Sequence, residues 1–168
     1  KINSEPKASR VKYLVLHVTA QALDTTHIDL IHYFLQKKEG GWSRSGYHIC
    51  FQADGTCMKN LPDDTKSNGV GKSYEISPIS NSNSLNISWI GGHKKLDMTS
   101  EQALTYKKVI LAYVKKYPDI QVLGHNQIGD KSCPWWWTPL YLKNIGVKEK
   151  NIHHKSYIRN EKLPAPYN

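Results

Sequence analysis

The stretch Val11-Lys12-Tyr13-Leu14-Val15-Leu16-His17 decides how the chain is read. It is nearly continuous apolar sequence built from β-formers, which suits a strand covered on both faces rather than an edge strand with one wet face. His17 then stands where this strand ends, and strand ends are where sites are assembled in sheets of this kind.

Working outward, Asp24-Thr25-Thr26 can cap a helix that runs to about Glu39, with Ile28, Ile31, Phe34 and Leu35 as its apolar stripe and Gly40-Gly41 as its stop. Ser45 to Leu61 reads as a hairpin: Tyr47, Ile49 and Phe51 alternate before Asp54-Gly55, and Thr56 to Lys59 returns after it. Pro62 to Ser84 has no period and is rich in Asp, Ser, Asn, Gly and Lys, which predicts a long loop of the kind that borders binding sites. Leu85 to Ile90 resumes as a strand stopped by Gly91-Gly92. Thr99 with Gln102 forms a capping box for a second helix, whose stripe of Leu104, Val109, Ile110, Ala112 and Val114 lasts until Pro118. A short strand, Gln121-Val122-Leu123, delivers His125; a short helix is expected within Cys133 to Leu142, and an irregular tail from Lys148. Strands interleaved with helices predict an α/β fold, a single domain with a central mixed β-sheet flanked by helices. The expected division is an N-terminal extension over 1–10, the working domain over 11–147 and a basic tail over 148–168.

With 168 residues, 39% of them hydrophobic, the chain can bury a core without a metal or disulfide staple, so it is expected to be one compact soluble domain in which any metal serves chemistry. No apolar run approaches the ~20 residues that span a bilayer. The start, Lys1-Ile2-Asn3-Ser4, has neither an initiator Met nor an apolar signal core, and a processed or trimmed N-terminus is expected. The formal charge is +9, and Lys143 to Asn168 holds six basic residues against two acidic ones. That tail could attract a polyanion or simply be solvated; no aromatic interleaving or Arg cluster accompanies its lysines. Three cysteines are too few for a disulfide framework. A two-residue Asp-Gly turn would pair Cys57 with Gln52 and leave Cys50 a diagonal neighbour at ~7–8 Å, too far to bridge, so both read as ordinary strand residues. Cys133 is the thiol to explain.

Of eight histidines, His17 and His125 sit just where a β-run gives way to a loop, and Cys133 follows eight residues after His125. Two imidazoles and a thiolate suit zinc, and three protein ligands leave a fourth position open, the form of a catalytic rather than a structural site. His27 and His32 lie five apart and share no helix face well; His153-His154 falls in the tail, and His48 stays open.

The ordered set Leu16-His17-Val18-Thr19-Ala20, Gly46-Tyr47-His48 before Asp54-Gly55-Thr56, Asn83-Ser84-Leu85-Asn86-Ile87, Thr99-Ser100-Glu101-Gln102, Gly124-His125 and Lys131-Ser132-Cys133-Pro134 resembles the type 2 N-acetylmuramoyl-L-alanine amidases. This is the zinc amidase family shared by phage lysozyme-type endolysins and peptidoglycan recognition proteins, and the resemblance covers about Tyr13 to Gly146. It implies Zn2+ held by His17, His125 and Cys133, with Tyr47 as the phenol near the reacting carbonyl and Lys131 as the cation beside it. Those last two matches suit the phage subgroup. The implied substrate is the amide joining the lactyl group of N-acetylmuramic acid to L-alanine in peptidoglycan, cut by a monomer that acts at the bacterial wall, whether secreted, periplasmic or released in phage lysis. The chain departs from the pattern at Asn68-Gly69-Val70-Gly71, where His-Ala is usual, at Asn86, where Gly is expected, and at Trp135-Trp136-Trp137 after Cys133-Pro134. Part of the triple Trp should pack inward while part stacks on sugar or covers the site; Trp42 and Trp89 read as core.

The resemblance leaves a second reading, a muropeptide-binding module of the same fold that does not cut, against which Cys133 argues, since non-catalytic members differ at the zinc thiolate. A nucleic-acid-binding domain has only the charge in its favour, and no nucleic acid partner is expected. A glycosidase would need two carboxylates flanking the scissile bond, and the acidic residues lie away from these motifs.

Overall fold

The computed structural model describes residues 5–37, 41–71, 77–129 and 131–157. The elements run β1 (Tyr13–Val18), α1 (His27–His32), β2 (Ile49–Phe51), β3 (Cys57–Lys59), β4 (Ser84–Trp89), α2 (Ser100–Lys116), β5 (Gln121–Gly124) and α3 (Thr138–Asn144). Five strands form one mixed sheet in the order β3-β2-β4-β1-β5, parallel throughout except for the β2–β3 hairpin. Among the described residues no helix is long and apolar enough to cross a membrane.

β1 pairs with β4 on one side and β5 on the other, with Leu16 opposite both Ile87 and Gly124. Successive side chains point to opposite faces, and both faces are dry. Leu14 and Leu16 join Leu85, Ile87, Tyr106, Ile110 and Tyr113 in the core beneath α2, while Val15 joins Val70, Ile79, Leu123, Ile128 and Tyr157 on the other side. The continuous apolar run thus has the physical cause expected of it. It extends as strand through His17 and Val18, carrying the histidine to the mouth of the sheet.

Several local expectations are corrected. The first helix starts where its cap predicts, with Thr26 and Asp29 forming a capping box, but it is α-helical only to His32 and becomes a π-turn over Tyr33–Lys37. Leu30 and Phe34, four apart and so on one face, are buried, while Ile28 and Leu35 lie off that face and meet water; the expected end at Glu39-Gly40 lies outside the described residues. The hairpin turn has three residues between Gln52 and Thr56, with Gly55 at φ +86°, which pairs Cys57 with Phe51 and Cys50 with Met58. All three cysteines are free thiols. α2 is capped by Thr99 and Gln102 as expected, yet its buried face is made by Gln102, Tyr106, Val109, Ile110 and Tyr113, while Leu104 is exposed. The helix expected within Cys133 to Leu142 begins only at Thr138, because Trp135 takes φ +90° and Trp137 is extended.

Nor is the C-terminal stretch wholly irregular. Glu149–Asn151 form a 3-10 turn, Ile152 bridges to Val122, and Asn151, Ile152 and Tyr157 are buried. The rest of the basic tail, residues 158–168, lies outside the described residues.

One buried polar knot ties remote segments together. The Asp63 carboxylate receives hydrogen bonds from Lys59 Nζ at 2.9 Å, Lys116 Nζ at 2.9 Å, Tyr113 Oη at 3.0 Å and Tyr117 Oη at 2.7 Å. Arg10 donates to the carbonyls of Asp63, Thr65 and Ser84, stitching the N-terminal segment to the long loop. Burial alone would raise the Asp63 pKa; the hydrogen bonds from Lys59, Lys116 and Tyr117 overcome it and hold the group at about 2.

Candidate active site and metal centre

The C-terminal ends of β1 and β5 lie side by side, so the residues that follow them meet. His17 is almost fully buried on β1, and His125 opens the 3-10 turn His125–Gln127 directly after β5. Their ring centroids are 4.7 Å apart. Cys133 is brought back over them by the loop after that turn, which is held where Asn126 N–H donates to the Cys133 carbonyl at 2.8 Å and Asn126 Nδ2 to the Trp136 carbonyl at 2.8 Å. One ligand atom from each of His17, His125 and Cys133 lies within 4.8 Å of the others.

The hydrogen bonds around these atoms assign their roles. His17 Nδ1 faces Cys133 Sγ at 3.8 Å, while its Nε2 lies 2.8 Å from Asn86 Oδ1. The sulfur accepts from Val18 N–H at 3.1 Å. The turn bearing His125 is braced by Gln127, whose Oε1 accepts from Gly124 N–H and whose Nε2 donates to the His153 carbonyl. The C-terminal segment therefore props the second histidine.

Burial pushes the His17 pKa down to about 4, with the Asn86 hydrogen bond opposing and the Lys131 charge assisting. Burial also pushes the Cys133 thiol up to about 12, against the Val18 N–H and Lys131. A neutral imidazole keeps its lone pair, and a buried thiol loses its proton readily only where a cation beside it stabilises the thiolate. Two nitrogen donors and one soft sulfur in that state fit Zn2+.

Tyr47, just before β2, is half-buried with its ring centroid 5.2 Å from that of His17. Burial, then the proximity of Cys133 and Cys50, raises its pKa far above the ordinary phenol range despite a hydrogen bond with Ser88, so it is a neutral O–H at any physiological pH. Lys131 is exposed on the cleft wall, and its charge is felt at both His17 and Cys133. The five residues singled out in the sequence thus line or floor one cleft of about 760 Å3.

For the rest of that cleft the sequence marks the long loop and the triple Trp as bordering a site, but gives no such signal for Phe34, Trp42 or His93. Its walls include Asn68–Gly71, Phe34, Trp42, His93 and Trp135. Trp42, read as core, stacks on Phe34 at 5.2 Å and also faces the cleft. Trp135 lines the wall with its Nε1 donating to the Gly92 carbonyl at 2.9 Å, whereas Trp136 stacks between Trp89 and Tyr141 in the interior. His48 accepts from Asn86 N–H through Nδ1 and bonds the Thr65 carbonyl through Nε2, which makes it a buried structural link. His32 bonds the neighbouring Gln36, and His154 pairs with Glu149 in the C-terminal segment, both away from the cleft.

The family model described as N-acetylmuramoyl-L-alanine amidase matches residues 7–136. Among solved structures, the chain is similar to Ph2119 endolysin from Thermus scotoductus MAT2119 bacteriophage Ph2119, with a TM-score of 0.68 at 23% identity over 88% of this chain and 92% of that one. It is similar to Drosophila peptidoglycan recognition protein SD, with a TM-score of 0.65 at 17% identity over 92% and 94% of the two chains. The endolysin amidase LysCS from Clostridium intestinale URNW aligns with a TM-score of 0.61 at 21% identity over 86% and 91%. At these identities the structural likeness is one of fold. No curated protein matches the chain.

Proposed function

The chain belongs to the N-acetylmuramoyl-L-alanine amidase family, and from that membership we propose that it is a zinc-dependent hydrolase cutting the amide between N-acetylmuramic acid and L-alanine of bacterial peptidoglycan. The observation that carries the reading is the convergence of His17, His125 and Cys133 at the floor of a cleft that also holds Tyr47 and Lys131. Family membership alone accommodates either a peptidoglycan amidase or a binding protein of the recognition-protein kind. Cys133 favours the enzyme, because a thiol this deeply seated beside two imidazoles has little use in a module that only holds muropeptide.

His17, His125 and Cys133 would hold the metal. Zinc at such a site lowers the pKa of water to about 7 and polarises a carbonyl oxygen. The remaining work belongs to the chain. As the amide carbon becomes tetrahedral, its oxygen gains negative charge. The Lys131 ammonium and the neutral Tyr47 hydroxyl, both lining the cleft, are the groups we assign to that charge, and a donor of this kind is worth ~2.7–4 kcal/mol in the transition state. Trp42 and Trp135 supply flat apolar walls on which a glycan ring can stack. The long loop contributes Asn68–Gly71 to the lining. The matches at Tyr47 and Lys131 support a phage or prophage endolysin role at the wall, with the basic C-terminal segment drawing the enzyme to anionic envelope polymers.

Metal analysis joined to a peptidoglycan digest tests the proposal. The purified protein should carry one zinc per chain, and cleavage should release stem peptides without creating new reducing ends. Cys133→Ser should lose the metal and nearly all cleavage. Unchanged digestion in the presence of a strong chelator would sink the metal assignment, and new reducing ends would sink the bond assignment.

A further inference from the structure

Asn86 sits in the middle of β4, fully buried. A carboxamide there costs stability unless its neighbours satisfy it, and they do. Its Oδ1 lies 2.8 Å from His17 Nε2, and its Nδ2 donates to Ser67 Oγ at 3.0 Å and Ser84 Oγ at 3.2 Å. Its backbone N–H donates to His48 Nδ1 at 3.0 Å, and its carbonyl accepts from His48 N–H at 2.7 Å. The side chain can neither rotate nor slide without breaking one of these bonds.

The room for it is made by Gly69. A Cβ added at Gly69 would lie 2.7 Å from both Cβ and Cγ of Asn86, and 2.6 Å from the Gly46 carbonyl oxygen, closer than real carbon atoms approach. Gly69 does not have a left-handed backbone, so space rather than conformation explains the glycine. Gly69 and Asn86 thus face each other in direct contact.

The chemistry of the pair points at His17. An imidazole has two nitrogens, and the hydrogen bond made by one decides which form the other presents. An oxygen acceptor at Nε2 keeps the proton there, which leaves the Nδ1 lone pair directed at the space it shares with Cys133 Sγ. We infer that Asn86 is a positioning residue for His17, locking the tautomer and ring orientation that a metal requires, and that Gly69 is the vacancy that admits it. The inference rests on reading His17 as a metal ligand.

The test uses the full chain, stripped of metal and reloaded. Long-range proton–nitrogen correlation spectra report the His17 tautomer in the metal-free protein, and competition with a chromophoric chelator reports zinc affinity. The wild type should hold its proton on Nε2. Asn86→Ala should give mixed tautomers and a 10- to 100-fold weaker affinity, the usual effect of losing a partner behind a ligating histidine. Asn86→Asp, whose carboxylate accepts the same proton, should restore both and move the Nε2 proton resonance downfield. Wild-type affinity and tautomer in Asn86→Ala would overturn the inference, as would a wild-type His17 protonated on Nδ1. If Asn86→Ala does not fold, an unmoved His17 resonance in Asn86→Asp overturns it equally. A wild type that binds no zinc would instead overturn the metal reading, while the tautomer comparison still decides whether Asn86 orients the ring.

Discussion

Removing the Asp63 carboxylate should be among the most damaging single changes outside the cleft. Asp63 and Lys116 are 2% and 4% exposed at their side chains, and their ion pair is 2.9 Å long. Asp63→Ala deprives a buried ammonium of its carboxylate and two buried tyrosine hydroxyls of their acceptor. Breaking one side of a buried pair costs about 3–5 kcal/mol, a large share of the roughly 5–15 kcal/mol that holds a domain together. At about 2–4 °C per kcal/mol for a chain of this size, the melting temperature should fall by roughly 6–20 °C. The pH dependence gives a second, independent reading. The folded pKa of about 2 lies below the ordinary 3.8, so the stabilisation is fully present above pH 3.8 and lost as pH falls towards 2. A shift of that size corresponds to about 2 kcal/mol. His48, held down to about 4 by burial, produces its own loss between pH 6.5 and 4, in wild type and variant alike. Urea melts at pH 7, 5, 4 and 2.5 separate the two: only the arm below pH 4 should flatten in Asp63→Ala. Asp63→Ala/Lys116→Met should recover much of the loss at pH 7, since an apolar chain tolerates that site better than an ammonium without its carboxylate. A loss below about 1 kcal/mol in Asp63→Ala, or a double variant no better than the single one, would refute the reasoning.

Three further outcomes are expected. Lys131→Ala and Tyr47→Phe should each lower kcat about 10²- to 10³-fold while zinc content stays at the wild-type level, as measured by metal analysis beside a muropeptide assay; full activity would make both residues bystanders. Truncation after Val147 removes the buried Ile152 and Tyr157 and the brace on Gln127, and should cost about 3–6 kcal/mol at ~1.5–3 kcal/mol per large apolar side chain. Truncation after Tyr157 should leave the melting temperature within a degree or two and weaken only the low-salt binding of whole sacculi.

The parts of the fold that were legible in the sequence are those governed by neighbours along the chain. The apolar run of β1, the Thr99 and Gln102 box and the Asp54-Gly55 turn announce themselves locally, and so do two histidines at strand ends. What was not legible depends on partners far away. Asn86 looks like an interruption in a strand until Ser67, Ser84 and His17 surround it. The tyrosines of α2 outrank Leu104 as core because their hydroxyls find acceptors: Tyr106 at the His17 and Ile87 carbonyls, Tyr113 at Asp63. Charge counting marked the segment from Lys148 as a tail, whereas Asn151 donating to the Pro118 and Ile120 carbonyls anchors it to the domain. In the site, the meeting of His17, His125 and Cys133 was legible from chemistry and order. That the long loop and part of the triple Trp border the cleft was legible too, but not which Trp, since Trp135 turns there through a left-handed backbone step that no periodicity foretells.

The placement of β1 between two later strands also sets the order of events in folding. His17 and Asn86 are 69 residues apart, and His17 and Cys133 are 116. Loops of that size close late, and parallel pairing across them is slow. His17, His125 and Cys133 therefore come together only when the sheet is already assembled, so a metal held by them would not guide the early search. Metal added to a refolding chain should leave the rate of folding nearly unchanged and instead slow unfolding, because its bonds are absent from the transition state. An ion held there would act as a latch on a finished structure, setting how long the native state persists rather than how fast it is reached.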